Sequence, residues 1–244
     1  MGLKTKLKSI AKRVRYVGSN RYCIVCDRKS SQFRPYGVDL DPRTDARCPL
    51  CGALERHRLV MNFLRKETDL FNGQPRDFLH IAPEIALEKI FSKAVGRGYL
   101  TADLAAEGVM EKMDITDIHH PDESFDNIYC SHVLEHVPED RTAMREFFRV
   151  LRPSGWAVLN VPVTADVTYE DPSITDPDER VRLFGHHDHV RRYGPDYRDR
   201  LEEAGFVVTA YSAEDLLSGK EVEKQGLANE AAGDIFYCRK QIEG

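Results

Sequence analysis

An α/β fold with a doubly wound parallel sheet is the architecture that this sequence predicts for most of its length. Three observations lead to it. Short apolar runs of strand length alternate with helical patterns from Phe78 onward, glycine and proline mark the ends of these runs, and hydrophobic residues make up 41% of the 244 residues. A chain of this length and composition supports one α/β domain with a small appendage.

The predicted helices and strands follow one another in a regular order. A helix is predicted over residues 54–70 and a buried strand over Phe78–Ile81. The pattern then predicts a helix at 84–95, strands at 99–103, 109–113 and 125–130, a helical region at 132–151 broken near Pro138, a strand at 156–161, a loop-rich insertion at about 162–195, a helix at 197–204, and strands at 206–210 and 235–238. Such alternation places parallel strands side by side with helices on both faces.

Charge and hydropathy narrow the classes of function. The net charge is -5, and no apolar run approaches the roughly 18–20 residues that a membrane span needs. No hydrophobic signal region follows the basic start, so a cytoplasmic location is expected rather than secretion. Nucleic acid is not an expected partner, because the basic residues concentrate in the first sixteen positions instead of lining a groove.

Residues 1–16 predict a short basic amphipathic helix. They carry six Lys and Arg residues and no acid, and Leu3, Leu7, Ile10 and Val14 recur at helical spacing. One interpretation is peripheral contact with an anionic membrane surface or a phosphate backbone. The other is a helix packed on the body of the protein, with its basic face in solvent.

Four cysteines predict a zinc ribbon over residues 17–56. Cys23-x-x-Cys26 and Cys48-Pro-Leu-Cys51 form two tight pairs, and Gly52 relieves the backbone after the second pair. A two-residue gap lets a turn aim two sulfurs at one ion, and four thiolates complete the tetrahedron that structural Zn²⁺ prefers. In a cytoplasmic chain this spacing favours metal binding over disulfides.

From Phe78 to Val161 the order of strands, helices and acidic residues resembles that of class I S-adenosylmethionine-dependent methyltransferases. The resemblance implies a Rossmann-like seven-stranded sheet whose last strand is antiparallel, and a methyltransferase domain over residues 57–244 with a substrate-capping insertion. In that family an acid after the second strand binds the ribose hydroxyls, and an acid with an apolar neighbour holds the adenine. Asp103 and the pair Asp114–Ile115 occupy these positions.

The first strand of this domain departs from the family pattern. The usual acid-glycine-x-glycine segment is replaced by His80-Ile-Ala82-Pro83-Glu84, which contains no glycine. Ala82 is small, Pro83 suits the first turn of a helix, and Glu84 could face the ammonium group of the cofactor. The alternative is a degenerate fold that no longer binds cofactor. The residues predicted to contact S-adenosylmethionine are His80, Ala82, Pro83, Glu84, Asp103, Leu104, Asp114, Ile115, Ser131 and His132.

A histidine-rich segment after the fourth strand is the predicted reacting site. On a helix His132, Glu135 and His136 would share one face. The segment resembles the acid-x-x-Glu-His metal motif of small-RNA 2′-O-methyltransferases and of the ubiquinone-pathway O-methyltransferase, with His132 in place of the first acid. The resemblance implies Mg²⁺ or Mn²⁺ held with a later ligand, and His189 in the insertion is the candidate. Two alternatives are a metal-free site with His136 or His189 as general base, and a segment that only closes the cofactor pocket.

The resulting prediction is an O-methyltransferase that acts on a hydroxyl of a saccharide or glycolipid-like acceptor, with Glu135, His136 and His189 as catalytic residues. The alternatives are an RNA methyltransferase and a cofactor-binding module without catalysis. In the insertion, Arg191 and Tyr193 could bind a polar substrate, or the insertion could be a capping loop held by its own hydrogen bonds.

Overall fold

A computed structural model describes residues 15–37 and 43–240 of the chain. The predicted N-terminal helix lies almost entirely outside the described residues. The described residues belong to two compact units. The first is built from the described residues up to Phe71 together with Ile85–Ile90 and Tyr211–Ala232, and the second from the other described residues. Among the helices that the structure describes, none combines the length and the apolar composition of a membrane span.

Thirteen strands and seven α-helices are described. The strands are β1 (Arg21–Cys23), β2 (Arg28–Ser30), β3 (Arg34–Tyr36), β4 (Arg43–Arg47), β5 (Phe78–Ile81), β6 (Tyr99–Asp103), β7 (Glu111–Lys112), β8 (Phe125–Ser131), β9 (Leu151–Asn160), β10 (Tyr169–Glu170), β11 (Arg191–Arg192), β12 (Val207–Tyr211) and β13 (Ile235–Arg239). The helices are α1 (Glu55–Glu67), α2 (Ile85–Val95), α3 (Asp140–Val150), α4 (Pro177–Phe184), α5 (Tyr197–Glu203), α6 (Ala213–Leu216) and α7 (Gly219–Lys224).

A seven-stranded sheet organises the second unit, in the order β12-β13-β9-β8-β5-β6-β7. Strands β5 to β9 run parallel to their neighbours, and β13 runs antiparallel to β9, which confirms the predicted Rossmann-like sheet with an antiparallel last strand. The chain leaves β5 toward β6 on one side and returns to β8 on the other. Ligands of open α/β sheets bind at such a reversal of strand order, beyond the carboxyl ends of the strands.

Burial explains why the central strands form. All four residues of β5 are buried, as expected of a parallel strand covered on both faces. Helix α3 buries Ala143, Met144, Phe147 and Val150, which recur along one face, and leaves its other side to solvent.

Two predicted segments differ from the structure. The predicted helical region at 132–151 begins with a single 3₁₀ turn at Leu134–His136, and α3 starts only at Asp140, because Pro138 disfavours helical geometry in the residue before it. The polar stretch after β12 contains the short helices α6 and α7. Each begins with a capping box, in which Ser212 pairs with Asp215 and Ser218 pairs with Glu221.

The first unit contains two hairpins, β1–β2 and β3–β4, which pack with α1 and with the segment after β12. This unit therefore extends past the predicted ribbon boundary at residue 56. Arg58 on α1 is completely buried, with its guanidinium 4.1 Å from the ring of Phe33. It donates hydrogen bonds to the carbonyl oxygens of Ala46, Ala53, Gln225 and Gly226, at 2.6–3.4 Å. One side chain thus joins hairpin, helix and C-terminal segment.

Candidate active site and metal centre

The four ribbon cysteines lie together at the ends of the two hairpins. Every Sγ atom is within 4.8 Å of the other three, with 3.6 Å between Cys23 and Cys51 and 3.9 Å between Cys26 and Cys48. The second turn is closed by the Gly52 N–H, which donates to the carbonyl of Cys48 at 2.9 Å, and Gly52 has a left-handed φ of 83°. The sequence pattern therefore brings all four predicted ligands to one point.

These sulfur separations suit a tetrahedral zinc ion. Zn–S bonds of about 2.3 Å in a tetrahedron put neighbouring sulfurs about 3.8 Å apart. His57 is not among these ligands. Its Nδ1 accepts a hydrogen bond from the Leu54 N–H at 3.0 Å and so caps α1, which agrees with its prediction as part of that helix.

Two residues at the carboxyl edge of the large sheet take a left-handed backbone. Ala82 follows β5 with φ 47°, and His132 follows β8 with φ 57°. Non-glycine residues rarely adopt this conformation, and they cluster at functional sites when they do. Both turns are held from neighbouring strands, since Ala82 N donates to Ala102 O and His132 N donates to Asn160 O, each at 2.8 Å. The glycine missing from the sequence pattern is therefore replaced by an alanine in the conformation that glycine prefers.

The two predicted acidic residues stand at the ends of β6 and just past β7. Oδ1 of Asp103 accepts hydrogen bonds from the backbone N–H groups of Ala105 and Ala106, at 2.8 and 2.7 Å. Oδ1 of Asp114 accepts from the backbone and hydroxyl of Thr116, which lowers the pKa of Asp114. Each carboxylate is oriented by its own turn, and its Oδ2 has no hydrogen bond among the described residues. Next to them Ile115 is buried and Leu104 is exposed.

Ser131 and Glu84 complete this edge at the ends of β8 and β5. The Ser131 hydroxyl is buried and has no hydrogen-bond partner within the described ranges. Glu84 is half-buried and follows Pro83 at the start of α2, where its Oε2 accepts a hydrogen bond from the Tyr129 hydroxyl at 3.1 Å. A buried hydroxyl without a partner costs free energy unless a ligand or water satisfies it, so this edge suits a polar ligand.

His80 is a core residue. Its ring is completely buried, its Nδ1 lies 2.7 Å from the Tyr99 hydroxyl, and the rings of Phe91 and Tyr129 pack around it. The predicted direct contact with cofactor would require the ring to leave this cluster, so its burial argues against that contact. A strand residue next to the glycine position points either to the core or to the ligand, and the sequence does not distinguish the two.

Glu135, His136 and His189 come together beside the 3₁₀ turn. One ligand atom from each lies within 4.8 Å of the others, and the rings of His136 and His189 meet edge to face at 4.7 Å. Oε2 of Glu135 is buried without a hydrogen bond in the described part of the chain. His132 reaches only Glu135, with 3.4 Å between Nδ1 and Oε1. Three of the four predicted ligands therefore converge, although the segment is not the continuous helix that the prediction assumed.

The partners of the two histidines fix which ring nitrogen faces the site. His189 Nδ1 lies 3.1 Å from the carbonyl oxygen of Phe184, an acceptor, so this nitrogen carries the proton and Nε2 keeps its lone pair. His136 Nδ1 lies 3.1 Å from Asp188, which also contacts His186. Asp188 was not singled out from the sequence, although the run His186-His187-Asp188-His189 contains the signal.

Arg191 is a structural anchor of the insertion. Its side chain is 3% exposed and donates hydrogen bonds to the carbonyl oxygens of Leu134, Val137 and Pro138 in and after the 3₁₀ turn. Tyr193 is completely buried, and its hydroxyl donates to Asp140 at 2.6 Å. Both side chains are held by internal hydrogen bonds, which favours the alternative prediction of a loop fixed by hydrogen bonds over direct substrate binding by Arg191 and Tyr193.

Two carboxylates balance the arginines of this anchor. Glu170 on β10 accepts from Arg191 and Arg200 at 2.8–3.2 Å, and Asp140 accepts from Arg200 at 3.0 Å. Burial alone would raise the pKa of Glu170, but the hydrogen bonds from Arg200 and Arg191 outweigh it and hold that pKa at about 2. The insertion is thus locked onto the turn that carries Glu135 and His136 by ionised groups.

A cleft of about 580 Å³ lies between the start of α3 and the insertion. Pro138 and Val190 in its wall are close in sequence to His136 and His189, and the Val190 N–H donates to the carbonyl of Glu135 at 2.9 Å. Four arginines and four acidic residues line it, namely Arg141, Arg145, Arg180, Arg191, Glu139, Asp140, Glu170 and Asp171. This balanced lining suits a polar ligand without a large net charge.

The sequence of this region is similar to known methyltransferases. Residues 92–159 match the family described as "Methyltransferase domain", a stretch that includes Asp103, Asp114 and Ser131 to His136 but ends before the insertion. The 27-O-demethylrifamycin SV methyltransferase of Amycolatopsis mediterranei (strain S699) is 30% identical over 155 residues, which cover 59% of this chain and 53% of that protein. The chain thus spans about half the length of this curated relative.

Solved structures show the same fold at low sequence identity. An S-adenosylmethionine-dependent methyltransferase from Mesorhizobium loti has a TM-score of 0.52 at 15% identity, covering 74% of this chain and 97% of that chain. The 1,6-didemethyltoxoflavin-N1-methyltransferase of Burkholderia thailandensis has a TM-score of 0.50 at 14% identity, covering 77% and 78%. The second unit therefore has the fold of these methyltransferases, and residues 92–159 match the methyltransferase domain family.

Proposed function

We propose that this protein transfers the methyl group of S-adenosylmethionine to a hydroxyl of a saccharide or glycolipid-like acceptor. The observation that carries the proposal is the buried Glu135 oxygen that lacks a partner among the described residues and faces His136 and His189, next to the carboxyl edge of the sheet. The relative from Amycolatopsis supports oxygen as the acceptor atom, because its name specifies a 27-O-demethyl substrate. The mixed-charge cleft supports a polar acceptor.

The polar groups at the carboxyl edge of the sheet suit the parts of S-adenosylmethionine. Asp103 has a carboxylate oxygen available for the ribose hydroxyls, Asp114 and Ile115 would hold the adenine, and Ser131 and Glu84 offer a hydroxyl and a carboxylate for the amino-acid part. The left-handed turn at Ala82 supplies the close backbone approach that glycine usually provides. When bound, the cofactor supplies a methyl group on a positively charged sulfur, which is a good leaving group.

Substitution of Asp103 by alanine is expected to weaken S-adenosylmethionine binding by at least tenfold, because hydrogen bonds to a charged group contribute roughly 1.5–3 kcal/mol. Calorimetric titration of the full chain measures the dissociation constant. Glu107→Ala is the matched control, since Glu107 lies nearby on an exposed loop, where its one ionic contact with a described residue is to Lys112 at 4.0 Å. Equal affinity of the Asp103 variant and wild type would show that Asp103 does not bind the ribose. If wild type does not bind S-adenosylmethionine, the whole proposal is contradicted.

The proton of the acceptor hydroxyl is handled by the histidine cluster. In a metal-dependent site, Glu135, His136 and His189 would hold Mg²⁺ or Mn²⁺, and such an ion lowers the pKa of a bound hydroxyl. Two imidazoles and one carboxylate favour Mn²⁺ over Mg²⁺ on ligand grounds. His189 Nδ1 donates its proton to the carbonyl oxygen of Phe184, and this hydrogen bond turns the lone pair of Nε2 toward the site, as a metal ligand requires.

A metal-free site has its own support. His136 lies 3.1 Å from Asp188, and a carboxylate beside one ring nitrogen helps the other nitrogen to accept a proton. The buried Glu135 oxygen without a hydrogen bond in the described residues favours the metal site. A metal ion would give this oxygen a partner, whereas a general base at His136 would not.

Replacement of Glu135 by glutamine distinguishes the metal-dependent site from the metal-free site. We expect Mn²⁺ affinity to fall at least 100-fold and methyl transfer to fall in parallel, while the ribbon keeps its zinc. Metal analysis after equilibrium dialysis and an assay with saccharide and glycolipid acceptors measure both. Glu214→Gln, which makes the same change at an exposed acid outside both the cluster and the cleft, is the control. A Glu135 variant that transfers methyl groups at the wild-type rate without added metal would eliminate the metal site and leave His136 as base.

A further inference from the structure

A buried arginine of the first unit has no acidic hydrogen-bond partner among the described residues. Arg58 is completely buried, and the hydrogen bonds that its side chain donates all go to backbone carbonyl oxygens. Glu55, the buried acid of the same helix, is paired with Arg43 at 3.3 Å instead. Carbonyl groups compensate a buried cation only in part, and burial accordingly lowers the pKa of Arg58. A further negative charge is therefore expected close to this guanidinium.

A zinc ion held by the four cysteines would provide that negative charge. Four thiolates and one Zn²⁺ leave an excess of two negative charges. The groups whose charge opposes the lowering of the Arg58 pKa are Cys23, Glu55, Cys48 and Cys51, so three of the four are ribbon cysteines. The cysteine cluster thus lies within electrostatic range of the guanidinium, where a cation and an anionic centre stabilise each other.

Hydrogen bonds bring Arg58 to the turn of the second cysteine pair. Its Nη1 donates to the carbonyl oxygens of Ala46 and Ala53, at 2.9 and 3.0 Å. These two residues lie two positions before Cys48 and two positions after Cys51. The Ala53 carbonyl also accepts the N–H of Cys48 at 2.8 Å. One nitrogen of the guanidinium therefore holds both ends of the turn that carries two of the zinc ligands.

The other nitrogens of Arg58 hold residues 225–226, which we call the C-terminal turn. Nε donates to the carbonyl of Gln225 at 2.6 Å, and Nη2 donates to that of Gly226 at 3.4 Å. Gly226 has a left-handed φ of 61°, and a Cβ atom there would lie 3.1 Å from the carbonyl oxygen of Asp45 and 3.2 Å from a ring carbon of Phe33. The C-terminal turn is thus fitted against the β3–β4 hairpin without room for a side chain.

We propose that Arg58 is the counter-charge of the zinc centre and couples zinc binding to docking of the C-terminal turn. The guanidinium is favoured in its buried position when the sulfurs hold zinc, and from that position it binds the two carbonyl groups of the turn. Such a coupling is reciprocal, so docking strengthens zinc binding by the factor by which zinc strengthens docking. The proposal rests on zinc binding by the four cysteines and does not depend on methyl transfer.

Substitutions of Arg58 in the full chain separate its charge from its hydrogen bonds. Arg58→Met removes both and should weaken zinc binding at least tenfold, as measured by competition with a chromogenic chelator. Arg58→Lys keeps the charge and should recover part of this loss, whereas Arg58→Gln keeps donors without the charge and should not. If Arg58 acted only through packing and hydrogen bonds, the Lys and Gln variants would bind zinc equally tightly, and that result would overturn the proposal.

A substitution in the C-terminal turn tests the coupling without touching a zinc ligand or a charge. In Gly226→Ala, the strained φ and the contacts with the hairpin push the turn away, and zinc binding should weaken at least fivefold. Gly233→Ala is the matched control. Gly233 has a similar φ of 65°, but its Cβ would have no atom of the described residues within 4 Å, so this variant should bind zinc like wild type.

Hydrogen exchange shows the coupling from the side of the C-terminal turn. The amides of Gly226 and Leu227 donate to the carbonyl groups of Glu223 and Val222, at 3.0 and 2.9 Å, and their exchange should become faster when zinc is removed. In Arg58→Met these amides should exchange fast even with zinc bound.

Three results would overturn the proposal. Wild type that binds no zinc refutes the zinc ribbon and the coupling together. If wild type binds zinc and both Arg58→Met and Gly226→Ala bind it as tightly, only the coupling is refuted. The same holds if exchange at the C-terminal turn of wild type does not respond to zinc.

Discussion

Changing Cys48 to serine is expected to reduce bound zinc from one ion per chain to less than a tenth and to unfold the ribbon unit at a much lower temperature. A serine hydroxyl is a poor zinc ligand at neutral pH, and three thiolates do not close the tetrahedron. Zinc binding contributes directly to the folding of small metal domains, with apparent free energies of about 10–16 kcal/mol in zinc-finger peptides. Loss of one ligand should therefore remove several kcal/mol. Metal analysis and thermal unfolding measure the two effects.

Cys238→Ser is the matched control, because it makes the same chemical change at a completely buried thiol outside the cluster. It should lower the melting temperature modestly and leave the zinc content at one. Purified wild-type protein without zinc, or a Cys48 variant with full zinc, would refute a zinc ribbon in this chain.

Replacement of Arg191 by methionine should destabilise the second unit by about 3–5 kcal/mol, as when one partner of a buried ion pair is removed. Methionine fills similar space but removes the donor to the carbonyl oxygens of Val137 and Pro138, and it removes one of the two arginines at Glu170. Urea denaturation measures the free energy of unfolding. Below the melting temperature, methyl transfer should fall at least tenfold while the affinity for S-adenosylmethionine stays within twofold, because Arg191 positions the turn with Glu135 and His136.

The neighbouring residue provides the comparison. Arg192 is exposed, and within the described part of the chain its side chain makes one hydrogen bond, from Nε to the Thr164 hydroxyl at 2.9 Å. Arg192→Met should change stability by no more than about 0.5 kcal/mol. Arg191→Lys keeps the positive charge but not the five donors of the guanidinium, so it should recover only part of the loss. If Arg191→Met is as stable and as active as Arg192→Met, Arg191 does not anchor the turn.

The sequence predicts the strands of the second unit well, because burial and pattern agree there. The run Phe78–Ile81 is apolar enough to be a covered parallel strand, and the acids Asp103 and Asp114 end or follow their strands where alternation places the ligand edge. The cysteine cluster is predicted equally well, since two fixed gaps constrain four sulfurs to two turns.

Backbone conformation at the site is less predictable. Nothing in the residue types of Ala82 and His132 signals a left-handed φ, because both positions are held by hydrogen bonds from strands distant in sequence. Helical periodicity also fails at His132 to His136. Those residues have the spacing of a helix face, but Pro138 and the bonds from Arg191 favour a single 3₁₀ turn. Tertiary contacts override local preference at this point.

The role of Arg191 shows the same limit. An arginine in a polar, loop-rich insertion looks like a surface residue ready to bind substrate, and only the fold brings Asp140, Glu170 and three carbonyl groups around it. A buried cation needs such partners, and here they come from segments that are distant in the chain. Sequence pattern within a short window does not contain that information.

The hydrogen bonds of Arg58 have a consequence for how the chain is made. When the four cysteines have been synthesised, the ribosome must still add most of the chain before it reaches Gln225 and Gly226, which accept hydrogen bonds from Arg58. The four cysteines can bind zinc early in synthesis, whereas Arg58 can complete its hydrogen bonds only after these last two carbonyl groups have been added. The N-terminal unit is therefore completed only after most of the chain has been synthesised, and its assembly is a late, long-range event of the kind that slows folding.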